Sequence, residues 1–413
     1  MPRIKNGSAA LLTGYKTVGL VAWNTIILFI LLNSTLYLAF WVRDSWSSGG
    51  KLSEIEREHR METWKAVYTD LQPDQIRQLL AETWRRPQIY APLVEFRERP
   101  YTGKYVNVSE AGYRQTKDQG PWPPDREAYN IFLFGGSTAF AYGVSDDETM
   151  ASYLQDALRR ASGRAVRLYN FGVGSYFSSQ ERVLFSELLI RGLRPDMALF
   201  LDGVNEPLFD EPAHTPQLRK HFDVANDHTR PKEIAILPPW VARLPMMRAI
   251  DFVQRRTAGD GGDVEPQAPY GRYEGAGADS RADRALERYL ENRTLIEALA
   301  KTHGVTAVFV WQPTPYYKYD IKHHLFADRG VRRGRYLGAA YAKMAARWGS
   351  LGGKSLWAAD MQETLTGPLY VDNLHYSARM NLLLAEEVAT FLMQSVWGRG
   401  SDPGGTEGTR RQP

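Results

Sequence analysis

The sequence predicts an α/β protein: a three-layer α/β/α domain with about five parallel strands, placed behind one N-terminal transmembrane helix. Three observations lead there. From residue 129 onward, short apolar runs alternate with segments of helical period, and such alternation means a parallel sheet covered by helices on both faces. The runs stop at glycines and small polar residues, as buried strands do where they leave the core. Residues 18–42, VGLVAWNTIILFILLNSTLYLAFWV, contain no charged side chain. At about 1.5 Å per residue that run spans a hydrocarbon core of roughly 30 Å.

The apolar run comes first. Arg3, Lys5 and Lys16 precede it, and Arg43, Lys51, Arg57 and Arg60 follow it. That balance leaves the orientation open, while Trp41 and Trp46 stand where an interfacial belt would lie. A cleaved signal peptide has a shorter apolar core and an A-x-A-like site. The sequence therefore predicts an uncleaved single-pass anchor in the inner (cytoplasmic) membrane. Residues 1–17 are expected in the cytoplasm, with the chain after the anchor periplasmic or extracellular.

Residues 43–128 form the next region. KLSEIEREHRMETWKAVYTDL and, after Pro73, DQIRQLLAETWRR predict amphipathic helix over residues 50–95. Residues 96–128, rich in Pro, Gly and Tyr, predict an irregular strap. The main domain covers residues 129–397. YNIFLFGG, AVRLYNFGVG, PDMALFLDG and VTAVFVWQP are expected strands, with a weaker one at 355–360. DDETMASYLQDALRRAS has acids in its first turn and arginines in its last, which suits a helix dipole. SSQERVLFSELLIRG reads as a helix opened by a serine cap and closed by Gly192. Further helices are expected in RALERYLENRTLIEALAKTHG, near 333–348, and from just after His375 to about Trp397. Residues 206–283 break the rhythm as an insertion with a flexible Gly/Ala-rich loop at 257–280. Residues 398–413 are expected to be a disordered tail.

Composition narrows the chemistry. The chain has 413 residues, a formal charge of +4 and no cysteine. Thiolate chemistry and disulfides are therefore excluded. Lys and Arg are interspersed with Asp and Glu, without a basic block, so no nucleic-acid partner is expected. GGSTAFAYG lacks both G-K-[ST] and G-x-G-x-x-G, so no nucleotide is expected. His214, His221 and His228 recur at regular spacing but in a Pro-rich segment with no helix to align them. His323 and His324 are adjacent and point apart. Neither set predicts a metal site, and no cofactor is expected. WQPTPYYKY offers aromatics to a pocket, although core or surface tyrosines are the plainer expectation.

Four positions at strand ends or late loops carry chemistry. FLFGGSTAFAYG ends a strand with Gly135-Gly136 and puts a hydroxyl, Ser137, on the turn. NFGVGSYFSSQE brings Gly174 and Ser175. DGVNE brings Asn205, and VDNLHYS brings Asp372 and His375. A serine needs a base before it attacks. His375 suits that role, and Asp372 can accept its other ring N–H and fix the tautomer. An oxyanion needs aimed donors. The Ser137 amide, an amide of the 174–175 turn and the Asn205 side chain are the candidates. Ligands in such sheets bind beyond the C-terminal strand ends, where these residues fall.

In this order the motifs resemble the SGNH (GDSL-like) hydrolase superfamily. FGGSTAF is similar to its first block, with Gly136 where many members have Asp. DGVNE is similar to its third block, and DNLHYS to its fifth, over residues 129–395. In the second block an ungapped reading places Ser175 where the family has glycine, and a shift by one places Gly174 there. The resemblance implies a membrane-anchored bacterial serine esterase with catalytic Ser137, Asp372 and His375, and an oxyanion hole from Ser137, Gly174 or Ser175, and Asn205. It implies an acylated glycan or lipid as substrate, O-acetyl groups being the expected ester, and envelope polysaccharide-assembly proteins as partners. A polysaccharide O-acetyltransferase using the same triad, and a non-catalytic glycan-binding or scaffold protein of the envelope, are the alternatives.

Overall fold

A computed structural model describes residues 7–49, 54–86, 88–208, 244–247, 249–250, 277–326 and 331–397. Most of the expected 206–283 insertion, its 257–280 loop up to residue 276, His214, His221, His228 and the 398–413 tail lie outside the described residues. The chain divides into two compact units, Met1–Arg60 with Asp223–Ala268, and Met61–Phe222 with Pro269–Pro413.

In the first unit, α1 (Gly7–Gly49) contains the apolar stretch Lys16–Val42. It is long and apolar enough to cross a membrane, as an anchor or as a signal sequence. Asn33, the polar residue at its middle, is not left bare. Its amide donates to the Phe29 carbonyl and its oxygen accepts the Met246 N–H.

The second unit begins within α2 (Glu54–Val67), at Met61, and continues with α3 (Pro73–Trp84). Pro73 starts α3 where its missing N–H costs nothing. The helix does not run on to residue 95. Pro87, Pro92 and Pro100 interrupt the sequence and remove donors a helix needs, and two small hairpins form instead. They are β1 (Ile89–Ala91) with β2 (Glu95–Arg97), and β3 (Tyr101–Thr102) with β4 (Asn107–Val108). The irregular strap expected at 96–128 is thus partly ordered as strand.

The main sheet has five strands: β5 (Tyr129–Gly135), β6 (Val166–Asn170), β7 (Met197–Asp202), β8 (Thr306–Trp311) and β9 (Ser355–Trp357). Their order is β6-β5-β7-β8-β9, and every pair is parallel. Between them run α4 (Ser137–Phe140), α5 (Met150–Ser162), α6 (Ser178–Ile190), α7 (Ala278–His303) and α8 (Val331–Trp348), with α9 (Ala378–Ser395) last. Strand alternation divides the core by chemistry. Ile131, Leu133, Leu199, Leu201, Val308 and Val310 face an aliphatic layer under α5 and α9. Phe132, Phe134, Phe200, Phe309 and Trp311 face an aromatic layer under α6, α7 and α8. The expected three layers and five parallel strands are present.

Two local expectations change. Asp146–Glu148 form a separate 3-10 turn, and Thr149 caps α5 by accepting the Ser152 N–H. The serine at the start of α6 is not a cap. The Ser178 N–H and hydroxyl both go to the buried Glu206 carboxylate, and Phe177 takes the cap position. A carboxylate from the neighbouring strand end outcompetes the local cap because it accepts both donors at once.

Candidate active site

The strand order reverses between β5 and β7, because β6 lies on the far side of β5. Such a switch point opens a crevice beyond the carboxyl ends of the strands. Ser137 follows β5, and Asn205 follows β7. The Gly135-Gly136 pair now has a reason. A Cβ at Gly135 would stand 2.5 Å from the Ala139 Cβ and 2.8 Å from the Leu201 carbonyl oxygen. A Cβ at Gly136 would stand 2.3 Å from the Asn205 amide nitrogen and 3.0 Å from the Tyr176 carbonyl oxygen. Asn205 comes this close because its Nδ2 donates to the Tyr176 carbonyl at 2.7 Å. Glycine at 136, in place of the family's frequent Asp, is thus what lets the Asn205 amide sit against the turn that carries Ser137.

Ser137, His375 and Asp372 form one hydrogen-bonded chain. The His375 Nδ1 lies 2.7 Å from Asp372 Oδ2, and its Nε2 lies 2.8 Å from Ser137 Oγ, 238 residues away in sequence. An ionised carboxylate only accepts, so Nδ1 carries the ring proton and Nε2 accepts from the Ser137 hydroxyl. Asp372 is fixed in turn, because its Oδ1 accepts the N–H groups of Leu374 and His375, both at 2.8 Å. Burial works against its charge, but the His375 ring and these N–H donors prevail and hold its carboxyl below the usual range.

The second-block residues separate. The Gly174 N–H donates to the Glu98 carboxylate at 3.2 Å. That amide's proton is thus engaged by Glu98, whereas the Ser175 amide is the other candidate the sequence offers for the oxyanion. Glycine is needed at 174 for a different reason: the Tyr142 hydroxyl would lie 2.6 Å from a Cβ there. Ser175 has φ +72°, the left-handed region that glycine fills at no cost. The backbone thus agrees with the ungapped reading, in which Ser175 stands in the family glycine's place.

Several residues of the site carry no signal in the sequence. The His375 ring stacks on Tyr142 (centroids 5.5 Å apart, planes at 22°) and meets Trp84 edge-to-face (4.9 Å, 79°). Trp84 also meets Tyr142 at 4.9 Å and 88°. The Tyr142 hydroxyl donates to Glu98 at 2.9 Å, and Gln88 donates to the Gly174 carbonyl at 3.0 Å. Glu98 is paired with buried Arg86 at 3.3 Å. Residues 84–98, expected as helix and strap, therefore form part of the wall around the imidazole. Only Tyr142, inside the FLFGGSTAFAYG stretch, stood close to a marked residue in sequence.

A second cluster lies at the Asn205 loop. Glu181, Asp202 and Glu206 are all buried. Burial pushes all three carboxyls up; the charges of neighbouring acids add to it at Glu181 and Asp202, and Arg288 and Ser178 oppose it at Glu206. Among the described residues no group of three or more His, Cys, Asp and Glu side chains is arranged to hold a metal ion.

No protein-family model matches the chain, and no curated protein matches it. Solved structures do. The solved structures it is similar to include G-D-S-L lipolytic proteins, esterases and acylhydrolases. A protein assigned to the lipolytic G-D-S-L family, from Desulfitobacterium hafniense DCB-2, shares 10% identity over 64% of this chain and 99% of its own, with a TM-score of 0.33. An acetyl xylan esterase shares 11% identity over 64% of this chain and 100% of its own, with a TM-score of 0.33. A psychrotrophic esterase from Pseudoalteromonas sp. shares 12% identity over 64% and 96%, with a TM-score of 0.31. At these values the likenesses carry no argument about the reaction, which rests on the side chains.

Proposed function

We propose that the protein is a serine esterase of the SGNH type, acting on ester groups, with O-acetyl groups of an extracytoplasmic glycan or lipid as the expected substrate. The single observation behind this reading is the unbroken Ser137–His375–Asp372 chain at the switch point of a parallel sheet. The Ser137 oxygen attacks the ester carbonyl carbon while His375 Nε2 takes its proton. The Asn205 amide has two N–H groups, of which Tyr176 engages one. The other, with the Ser137 amide and the 175 turn, stabilises the oxyanion. Collapse of the intermediate breaks the C–O bond to the alcohol, which leaves with the proton from His375. Water then adds to the acyl-enzyme by the same route, releasing the acid and restoring Ser137. Enclosure of His375 between Trp84 and Tyr142 favours a second reading, in which a sugar hydroxyl replaces that water and the acyl group is transferred.

The test uses the full chain in detergent. A fluorophosphonate probe should label the protein and should not label Ser137→Ala. Absence of label on the unsubstituted chain would sink the reading. Acetate release, measured against acetyl-sugar formation with an added glycan, separates hydrolysis from transfer.

A further inference from the structure

Catalysis by Ser137 and His375 assigns a side to each half of an ester. The carbonyl oxygen must face the donors near Gly136, Asn205 and the 175 turn. The alcohol oxygen must take a proton from His375 Nε2, so the alcohol departs over the imidazole. Whatever lines the surface beside that ring touches the alcohol and not the acyl group.

Two aromatic rings lie there. Tyr142 is half-buried, and its hydroxyl is held by the Glu98 carboxylate. Trp84 is different. It contacts the His375 ring at 4.9 Å and yet is 46% exposed. The other described tryptophans of the sheet-bearing unit are buried or half-buried, and Trp84 alone among them is exposed. It is not loose. It ends α3, whose Ile76 and Leu79 are completely buried. Glu82 of the same turn accepts the N–H groups of Tyr105 and Val106 at 2.8 and 3.2 Å, and the Glu82 carbonyl accepts from Arg86 at 2.7 Å. Trp84 is thus a rigid, half-wet indole beside the catalytic ring, preorganised at no cost upon binding. A flat apolar surface at a wet edge fits a ring that is itself apolar on its face and polar around its rim.

We infer that Trp84 is the alcohol-side platform of this site and that the alcohol it receives is a sugar ring, stacked on the indole while the ester oxygen lies over His375. This deepens the proposed reading and rests on it.

The experiment uses the full chain in a detergent without a sugar headgroup, with Trp84→Phe and Trp84→Ala. Substrates are a peracetylated methyl glucopyranoside, ethyl acetate and hexyl acetate. Trp84 touches His375, so some rate is lost on every ester. The platform adds a selective effect, a KM for the sugar ester raised about 2- to 10-fold beyond the change with ethyl acetate, as one aromatic contact is worth. Trp84→Phe, which keeps a ring, should recover most of it. Equal losses on all three esters would reduce Trp84 to a prop for the imidazole. A selective loss on hexyl acetate would assign the surface to an aliphatic alcohol. Both outcomes overturn the inference. Titration calorimetry with methyl glucopyranoside, the deacetylated product, reads the platform without turnover. Binding should weaken in Trp84→Ala, and no dependence on Trp84 overturns the inference even where Ser137 labels. Loss of labelling in the unsubstituted chain sinks the catalytic reading instead, so the two failures are distinguishable.

Discussion

A serine hydroxyl is a weak nucleophile, and Ser137 gains strength only through the imidazole that accepts its hydrogen bond at 2.8 Å. Ser137→Ala and His375→Ala should each bring turnover to background, and the double variant should be little worse, because the two act as a unit. Asp372→Asn preserves shape but permits the wrong tautomer, and should cost orders of magnitude in kcat. Asn205→Ala should lower kcat by about 10²- to 10³-fold with KM changed less. Steady-state kinetics on one acetyl ester checks all four. Ser175→Gly should retain activity and raise Tm slightly, since it relieves a side chain held at φ +72°. These residues were legible in sequence because nucleophile, base and donor are types with few other uses together. Glu98, Gln88 and Trp84 were not, because a Trp at the end of an amphipathic helix, or a Glu in a Pro-rich strap, looks the same whether it meets solvent or an imidazole. Their role follows only from a fold that brings residue 98 to residue 174.

At the scale of elements, the buried carboxyls of α6 and the β7 end set a pH dependence. Glu181 and Asp202 are raised, by burial first and neighbouring acids second. A carboxyl raised in the fold ionises earlier in the unfolded chain. Its penalty is absent below the ordinary carboxyl range and grows as pH rises above it. Asp372 is lowered, so its contribution is present above the ordinary range and lost as pH falls through the folded value. Stability should therefore peak in mild acid and decline toward neutral and alkaline pH. Glu181→Gln should flatten that decline, and thermal melts from pH 4 to 8 check it. Parallel profiles for the two proteins would count against the cluster as the cause. The alternation of strand and helix that revealed β5 to β8 could not reveal this cluster. Each acid closes or opens an element unremarkably, and only parallel pairing brings β7 beside the start of α6. The hairpins β1–β2 and β3–β4 were hidden for a related reason. Two- and three-residue strands carry no period to read.

At the scale of the sheet-bearing unit, the strap at 96–128 is a structural member, and Arg114 shows why. It is fully buried, and its backbone N–H donates to the Asn170 carbonyl at the end of β6 at 2.8 Å. Its guanidinium donates to the carbonyls of Phe140, Ala141 and Val144 at 2.7, 2.6 and 2.6 Å, and to Asp146 at 2.9 Å. Those carbonyls belong to the short helix that starts at Ser137 and the turn that follows it. One planar fork thus closes the chain that leaves the nucleophile and ties it to the strap. Lysine cannot substitute, because its ammonium is a point donor without the fork. Arg114→Lys should leave buried acceptors unpaired, and Arg114→Met should also leave Asp146 without its cation, at a cost of about 3–5 kcal/mol. That is a large share of the total stability of a typical domain. Both variants should melt well below the parent, and at temperatures where they remain folded they should label more slowly with fluorophosphonate, because the Ser137 turn loses its anchor. Arg160→Lys, on the exposed side of α5, should shift stability by no more than about 0.5 kcal/mol. An Arg114→Lys protein with unchanged Tm and unchanged labelling rate would mean that the strap merely covers the sheet, and that the nucleophile turn holds its shape without it.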